Sequence, residues 1–168
     1  MHHGFSRVAV LFAGLAFSCA AMAADRKVTP LSDNWRFLQG DPGGAEGVDI
    51  STEGWRTVSV PHDWAIAGPV TPDAKAGGEN GFFPTGVAWY RRDLNVVPVT
   101  NRRYFVEFDG IMERSGVWVN GHHVGYRPMG YVSLRYDITR HLRHDGPNVL
   151  AVRADTAAAP SSRWYNGS

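Results

Sequence analysis

Polar and apolar residues alternate along most of the chain after its first two dozen positions, and this period of two is typical of half-buried β-strands. The run 103–108 is a clear example, because Tyr104, Val106 and Phe108 fall on one face. We predict that this face points towards the core. Comparable runs, each bounded by loop residues, predict further strands at 55–60, 88–94, 133–138 and 148–154.

The dipeptide Asn120-Gly121 lies between two runs of β-forming residues. A type I′ turn needs positive φ at both of its central residues, and Asn-Gly meets this need at little steric cost. The sequence therefore predicts a β-hairpin at this point. In such a hairpin Val117, Val119 and Val124 share a core-facing surface of the sheet.

The segments between these strands are rich in glycine and proline, and the longest of them covers 61–86. Loops of more than roughly 15 residues are uncommon in compact domains and are usually functional. Helical periodicity is nearly absent, and we predict one short helical turn at 139–142, capped by Asp137. Short strands separated by turn signals predict an all-β fold, either an antiparallel β-sandwich or a jelly roll.

The pattern of the first 23 residues is typical of a secretory signal peptide. Arg7 precedes an apolar run, 8–17, that is too short to cross a bilayer as a helix, and a small-x-small sequence follows at 21–23. We therefore expect cleavage before Ala24, a mature domain of residues 24–168, and a periplasmic or secreted location. The single cysteine of the sequence, Cys19, lies in this leader, so the mature chain is expected to be stable without disulfides.

Composition places the chain among globular proteins. Hydrophobic residues make up 43% and charged residues 20%, which excludes wholesale disorder. The formal net charge of +1 gives no basic surface to hold a phosphate backbone, so we expect no nucleic-acid partner. After the leader, no segment has the length of a membrane span. Aromatic residues, at 12% with six tryptophans, fit both core packing and the stacking of sugar rings.

The residues by themselves assemble neither a catalytic nor a metal site. Glycoside hydrolysis needs two carboxyl groups across the scissile bond, and no pair of acidic residues here has a spacing that forces them together. His122 and His123 are adjacent on a predicted strand and so face opposite ways, while His141 and His144 lack further ligands nearby. We therefore predict no metal and no cofactor, and the pattern alone indicates a binding or structural domain.

Six short motifs occur in an order that is typical of one enzyme family: Val60–Trp64, Gly86–Arg92, Phe108–Gly110, Trp118–Gly125, Tyr136–Thr139 and Asn148–Arg153. From about Trp35 to its last residue, the chain resembles the N-terminal sugar-binding domain of glycoside hydrolase family 2. That family includes β-galactosidases, β-glucuronidases and β-mannosidases. The closing segment 162–168 is most similar to that of the β-galactosidase-type members.

The resemblance implies a galactose-binding-like jelly-roll domain that is followed, in the family, by an immunoglobulin-like domain and a (β/α)₈ barrel. The catalytic glutamates of the family lie in the barrel, so we expect no catalytic residue in this chain and no hydrolysis by this chain alone. We also expect the chain to stop before those domains and before the strand that completes the sandwich. Its expected partners are a terminal β-linked sugar and the C-terminal domains of the same enzyme.

The resemblance also implies four sugar-binding residues: Asp155, Arg163, Trp164 and Tyr165. Asp155 matches an acidic residue that contacts hydroxyls of the terminal sugar, where a carboxylate can accept two hydroxyl hydrogens. The other three match a loop beside the pocket. The alternatives are an ordinary strand-end acid for Asp155 and packing against the next domain for Trp164 and Tyr165. Thr156 departs from the asparagine that usually follows the acid, and the long loop 61–86 is a further candidate to approach the substrate.

Two other interpretations stay open at this point. The aromatic content and the jelly-roll pattern also fit a stand-alone carbohydrate-binding module that holds sugar without cleaving it. A sandwich that lacks its closing strand exposes an edge, and such a chain also fits a remnant that no longer folds.

Overall fold

The structure is a computed structural model that describes residues 26–157. Residues 26–30 belong to one unit and have no regular secondary structure; a second unit begins at Leu31 and contains all strands of the described range. These strands are β1 (Trp35–Gln39), β2 (Arg56–Val58), β3 (Val87–Leu94), β4 (Phe105–Phe108), β5 (Ser115–Val119), β6 (His122–Arg127), β7 (Leu134–Asp137) and β8 (Asn148–Asp155). The same residues contain two short 3₁₀ turns, Gly77–Asn80 and Thr139–His141.

The strands form two antiparallel sheets. The larger sheet has the order β2-β1-β3-β8-β5-β6, and β4 pairs with β7 in a smaller one. Apolar side chains from both sheets form one main core, which includes Phe37, Val106, Val117 and Leu150. The predicted all-β antiparallel architecture is therefore confirmed.

Strand β4 confirms the facing predicted for the run 103–108. Val106 is buried, and Tyr104 and Phe108 are half-buried against the main core. Phe105, between them, faces outward, and the guanidinium of Arg135 lies 4.0 Å from the centre of its ring. The alternation of polar and apolar residues thus identifies the inner face of this strand correctly.

The hairpin predicted at Asn120-Gly121 connects β5 and β6. Asn120 has φ = 51° and Gly121 has φ = 79°, which are the positive values that a type I′ turn requires. Val117 and Val119 are fully buried in the main core, and Val124 packs half-buried against it. The local turn chemistry therefore predicts both the hairpin and its inner face.

A β-bulge interrupts this hairpin where the register with β6 shifts between Val117 and Trp118, and the sequence did not indicate it. Gly125, which lies opposite Val117, sits against the ring of Tyr136 from β7. A Cβ atom at Gly125 would lie 2.0 Å from the Cε1 atom of Tyr136. The absence of a side chain at this glycine therefore allows strands of the two sheets to approach each other.

Strand β1 has no counterpart among the predicted strands. Trp35 and Phe37 alternate with Arg36, but the strand is only five residues long and gives a weak periodic signal. Both aromatic side chains are almost fully buried, and β1 lies between β2 and β3 in the larger sheet. Burial between neighbouring strands, which a local pattern does not reveal, accounts for this element.

The short helical turn predicted at 139–142 is the 3₁₀ turn Thr139–His141. Ile138, and not Asp137 as predicted, occupies the cap position. The Asp137 carboxylate still accepts the N–H of Thr139 at 3.0 Å. Hydrogen bonds from Thr139 and then from Arg103 hold the pKa of Asp137 well below its usual range. The other turn, Gly77–Asn80, lies inside the long loop and had no predicted counterpart.

Strand β8 lies between β3 and β5 and is buried on both of its faces. Leu150 and Val152 belong to the main core, whereas Ala151 belongs to a smaller apolar cluster with Trp55 and Trp89 on the opposite face. We call that opposite side the outer face of the larger sheet. A strand with period two can supply two apolar clusters only if both of its faces are covered.

Arg91 of β3 fixes the segment 40–55, between β1 and β2, against this outer face. Its side chain is buried, and the guanidinium donates hydrogen bonds to the carbonyl oxygens of Ala45, Gly47 and Val48. Backbone carbonyls that leave water need such donors. This side chain of the sheet therefore helps to fix the middle of the segment.

We predict that Gly125→Ala destabilises the chain by about 1–3 kcal/mol, because the added methyl group overlaps a packed ring and forces β6 away from β7. Gly146→Ala is the matched control, since a Cβ there meets nothing within 4 Å. Denaturant unfolding of both variants measures the difference. Equal free energies of unfolding would contradict the close approach at Gly125.

Candidate functional site

Asp155 is the last residue of β8 and lies where three segments meet. Its backbone pairs with Val87 at the start of β3, and its N–H donates to the carbonyl of Glu113, in the segment before β5, at 2.9 Å. The side chain is 19% exposed. Asp155 therefore stands at the rim of the larger sheet and remains accessible from outside.

The carboxylate of Asp155 is held by two hydrogen bonds and a nearby second cation. Its Oδ2 accepts from Nη1 of Arg153 at 3.1 Å, and its Oδ1 accepts from the N–H of Ala157 at 2.8 Å. Nη2 of Arg114 lies 4.0 Å from Oδ1, and Arg114 also pairs with Glu113 at 2.9 Å. The orientation of the carboxylate is thus constrained from three sides.

Arg153 connects Asp155 to Asp41 in the segment 40–55. Its Nε donates to Oδ1 of Asp41 at 3.0 Å and its Nη2 donates to Oδ2 at 2.7 Å, which is the paired geometry that a guanidinium and a carboxylate favour. Asp41 also accepts the Nε1–H of Trp89 at 2.8 Å. Because Trp89 pairs with Arg153 across β3 and β8, both side chains project from the outer face and reach the same carboxylate.

These contacts keep Arg153 and Asp41 charged. The hydrogen bonds from Arg153 are the main cause that lowers the pKa of Asp41, against the opposing effect of its partial burial, and Trp89 adds to the lowering. The bond to Asp41 in turn raises the pKa of Arg153, with a further contribution from Asp155. Asp41 and Arg153 are therefore both ionised at neutral pH.

The end of the long loop 61–86 is fixed next to Asp155. The N–H of Thr156 donates to the carbonyl of Gly86 at 2.8 Å, and the Thr156 hydroxyl accepts the Gly86 N–H at 3.1 Å. Trp64, from the start of the loop, also lies against Gly86. Both ends of the loop thus approach the end of β8, and Thr156, where asparagine was expected, has a definite structural partner.

His62 belongs to the motif 60–64 and supports the start of the same loop. Its Nδ1 lies 2.9 Å from the hydroxyl of Tyr90, and its ring packs edge-on against Phe37 with centroids 4.8 Å apart. Burial lowers the pKa of His62 and raises the pKa of Tyr90. Asp63 accepts the N–H of Ala65 at 2.9 Å. Within the described residues, this motif therefore holds the loop in place.

A cleft of about 400 Å³ opens at the same end of the larger sheet, and Gln39, Arg56 and Trp64 contribute to its wall. Gln39 pairs with Ala88, which in turn pairs with Ala154. The register of three strands therefore places this cleft at the end of the sheet that carries Asp155.

Comparison with known proteins identifies the fold. Residues 83–165 match the family profile described as the glycosyl hydrolase 2 galactose-binding domain-like family. The chain belongs to the galactose-binding-like domains of glycoside hydrolase family 2. The predicted resemblance is thereby confirmed, and so is the galactose-binding-like form of the predicted β-sandwich.

Curated relatives of this galactose-binding-like domain are much longer enzymes. The β-galactosidase BoGH2A of Bacteroides ovatus is 40% identical over 153 residues, which cover 90% of this chain and 18% of the relative. A putative β-glucuronidase of Formosa agariphila is 35% identical over 85% of this chain and 14% of its own length. The chain therefore spans less than a fifth of these two relatives, and it corresponds to their N-terminal part.

Solved structures give the same result. A β-glycosidase from Bacteroides vulgatus superposes with a TM-score of 0.76 and 37% identity over 82% of this chain and 18% of that one. A glycosyl hydrolase family 2 member from Bacteroides cellulosilyticus gives a TM-score of 0.77 and 33% identity over 83% of this chain and 19% of that one. The domain is thus similar in both sequence and fold to one part of each of these enzymes.

Of the four residues predicted to bind sugar, Asp155 lies within the described range. Arg163, Trp164 and Tyr165 lie outside it, as does the predicted signal peptide 1–23. The sequence did not reveal Asp41, whose position at the site depends on contacts between segments far apart in the chain. An acidic residue shortly after a strand, as Asp41 is after β1, is too weak a signal to single it out.

His122 and His123 face opposite ways, as predicted, and the stacking of His122 on His141 was not predicted. The ring of His122 stacks on that of His141 with centroids 5.1 Å apart, while the ring of His123 contacts Trp118 at 5.1 Å on the other face. Among residues 26–157, His, Cys, Asp and Glu side chains form no group of three or more that could hold a metal ion. Over the same range, no helix has both the length and the apolar character that crossing a membrane requires.

Proposed function

We propose that this domain is the sugar-binding N-terminal part of an exported O-glycosyl hydrolase of the β-galactosidase type, which removes terminal β-linked sugars. Support comes from its relatives, because the enzymes that contain the matching segment are named β-galactosidase and β-glucuronidase. The chain matches less than a fifth of each. The proposal therefore assigns the chemistry to other domains and sugar binding to this one.

Asp155 carries the proposed binding role. A carboxylate has roughly four acceptor positions, and the two hydrogen bonds that Asp155 accepts from residues of the range 26–157 occupy one position on each oxygen. The remaining acceptor positions on the carboxylate suit sugar hydroxyls, which donate hydrogen bonds in a fixed geometry. Arg163, Trp164 and Tyr165 are proposed to line the same sugar site.

The charges around Asp155 support a binding role over a catalytic one. A general acid for glycoside hydrolysis needs a carboxyl group whose pKa is raised, so that it is protonated at neutral pH. Here the hydrogen bonds from Arg153 lower the pKa of Asp41, and Glu113 is paired with Arg114. We therefore place the catalytic pair of glutamates outside this domain, in the C-terminal domains that complete the enzyme.

The activity test compares the 168-residue chain with a full-length version that also carries the proposed C-terminal domains, on chromogenic β-galactosides and β-glucuronides. Only the full-length protein is expected to hydrolyse them. Asp155→Asn should lower its kcat/KM about 10- to 100-fold, because a hydrogen bond to a charged group contributes roughly 1.5–3 kcal/mol. Asp145→Asn is the control, since Asp145 is exposed and precedes the opposite end of β8. Hydrolysis by the short chain, or full activity of Asp155→Asn, would contradict the proposal.

Export is the second part of the proposal and rests on residues 1–23 of the sequence. A positively charged start, a short apolar run and a small-x-small end are the features that signal peptidase recognises. We expect the protein recovered from the periplasm or the medium to begin at Ala24, which mass spectrometry of the intact protein measures. A cytoplasmic protein that retains residues 1–23 would contradict export.

A further inference from the structure

We infer that Trp89, Asp41 and Arg153 form a positioning chain that keeps the carboxylate of Asp155 available to sugar hydroxyls. The inference rests on the proposed function of Asp155. Its basis is a continuous series of hydrogen bonds from Trp89 Nε1 to Asp41 at 2.8 Å, from Arg153 to both oxygens of Asp41 at 3.0 and 2.7 Å, and from Arg153 to Asp155 at 3.1 Å. In this chain Arg153 is a positioning residue, and Asp41 positions it in turn.

The geometry of the guanidinium determines what Asp155 receives. A guanidinium is planar and can bind one carboxylate through two parallel N–H bonds. Arg153 makes that paired contact with Asp41, through Nε and Nη2, and offers Asp155 a single bond from Nη1. Asp41 therefore prevents Arg153 from occupying both oxygens of Asp155.

The second cation near Asp155 is restrained in the same way. Arg114 lies 2.9 Å from Glu113 and only at 4.0 Å from Asp155. Each of the two arginines beside Asp155 thus has a closer carboxylate of its own. The arrangement places two positive charges beside Asp155 while it leaves acceptor positions on the carboxylate for a ligand.

The far end of the positioning chain is anchored in the folded domain. Trp89 is 3% exposed and packs on Trp118 in the outer apolar cluster, with ring centroids 5.1 Å apart. The segment that carries Asp41 is held by the hydrogen bonds that Arg91 donates to Ala45 and its neighbours. The direction in which Arg153 points is therefore set by buried groups, which an isolated surface ion pair does not have.

The test is a double-mutant cycle on the full-length protein, with kcat and KM measured on the chromogenic glycoside that it cleaves best. Asp41→Asn should lower kcat/KM about tenfold, mainly through a higher KM. The reason is that Arg153 is then able to bind both oxygens of Asp155 and to compete with the sugar hydroxyls. In an Asp155→Ala background the same substitution should change kcat/KM less than twofold. Asp41→Glu, which keeps the carboxylate, should restore most of the lost activity.

The matched control is Glu107→Gln, which breaks an ion pair of similar length, 2.9 Å to Arg135, on the smaller sheet; it should leave both constants unchanged. Thermal unfolding is measured for each variant. Because the Asp41 side chain is 47% exposed, Asp41→Asn is expected to fold.

The outcomes separate the inference from the function on which it rests. If Asp155→Ala leaves kcat/KM unchanged, the proposed role of Asp155 is wrong. If Asp155→Ala lowers kcat/KM but Asp41→Asn has the same effect in both backgrounds, or no effect in either, then the positioning chain is wrong and the role of Asp155 stands. The positioning role would also be overturned if Asp41→Asn lost activity only in proportion to its loss of thermal stability and Asp41→Glu did not restore the activity.

Discussion

The rest of the structure depends on the pairing of β8 with strands on both sides. Every residue of β8 from Asn148 to Asp155 is in register with β3, and Leu150 to Arg153 are also in register with β5. Both faces of the strand are covered by apolar side chains. A central strand of this kind has little freedom to slip, because a shift of one residue would exchange the two faces and expose apolar side chains to water.

The candidate site continues one face of this strand. Ala151, Arg153 and Asp155 follow each other with period two, so the outer face changes from buried and apolar to charged and partly exposed towards its end. Trp89 contacts both regions of this face, since its ring belongs to the apolar cluster and its N–H donates to Asp41. The location of Asp155 therefore follows from how β8 is packed, and its charge environment follows from the segment that covers the outer face.

Local features of the sequence predict local features of the structure. Asn120-Gly121 determines its hairpin through the φ values of two adjacent residues, and the alternation in 103–108 identifies an inner face. The contact between Asp41 and Arg153 joins residues 112 positions apart, and no pattern of neighbours contains that information. Strand β1 was not predicted for a related reason, because its five residues are stabilised mainly by the strands on either side.

The central claim is that the end of β8 presents Asp155 to a sugar while Asp41 holds Arg153 aside. The most direct measurement is a crystal structure of the full-length protein with a bound monosaccharide product. The account predicts a sugar hydroxyl within about 2.6–3.2 Å of an Asp155 oxygen, with Arg153 still paired to Asp41. A sugar bound far from Asp155, with Arg153 occupying both oxygens of that carboxylate, would contradict it.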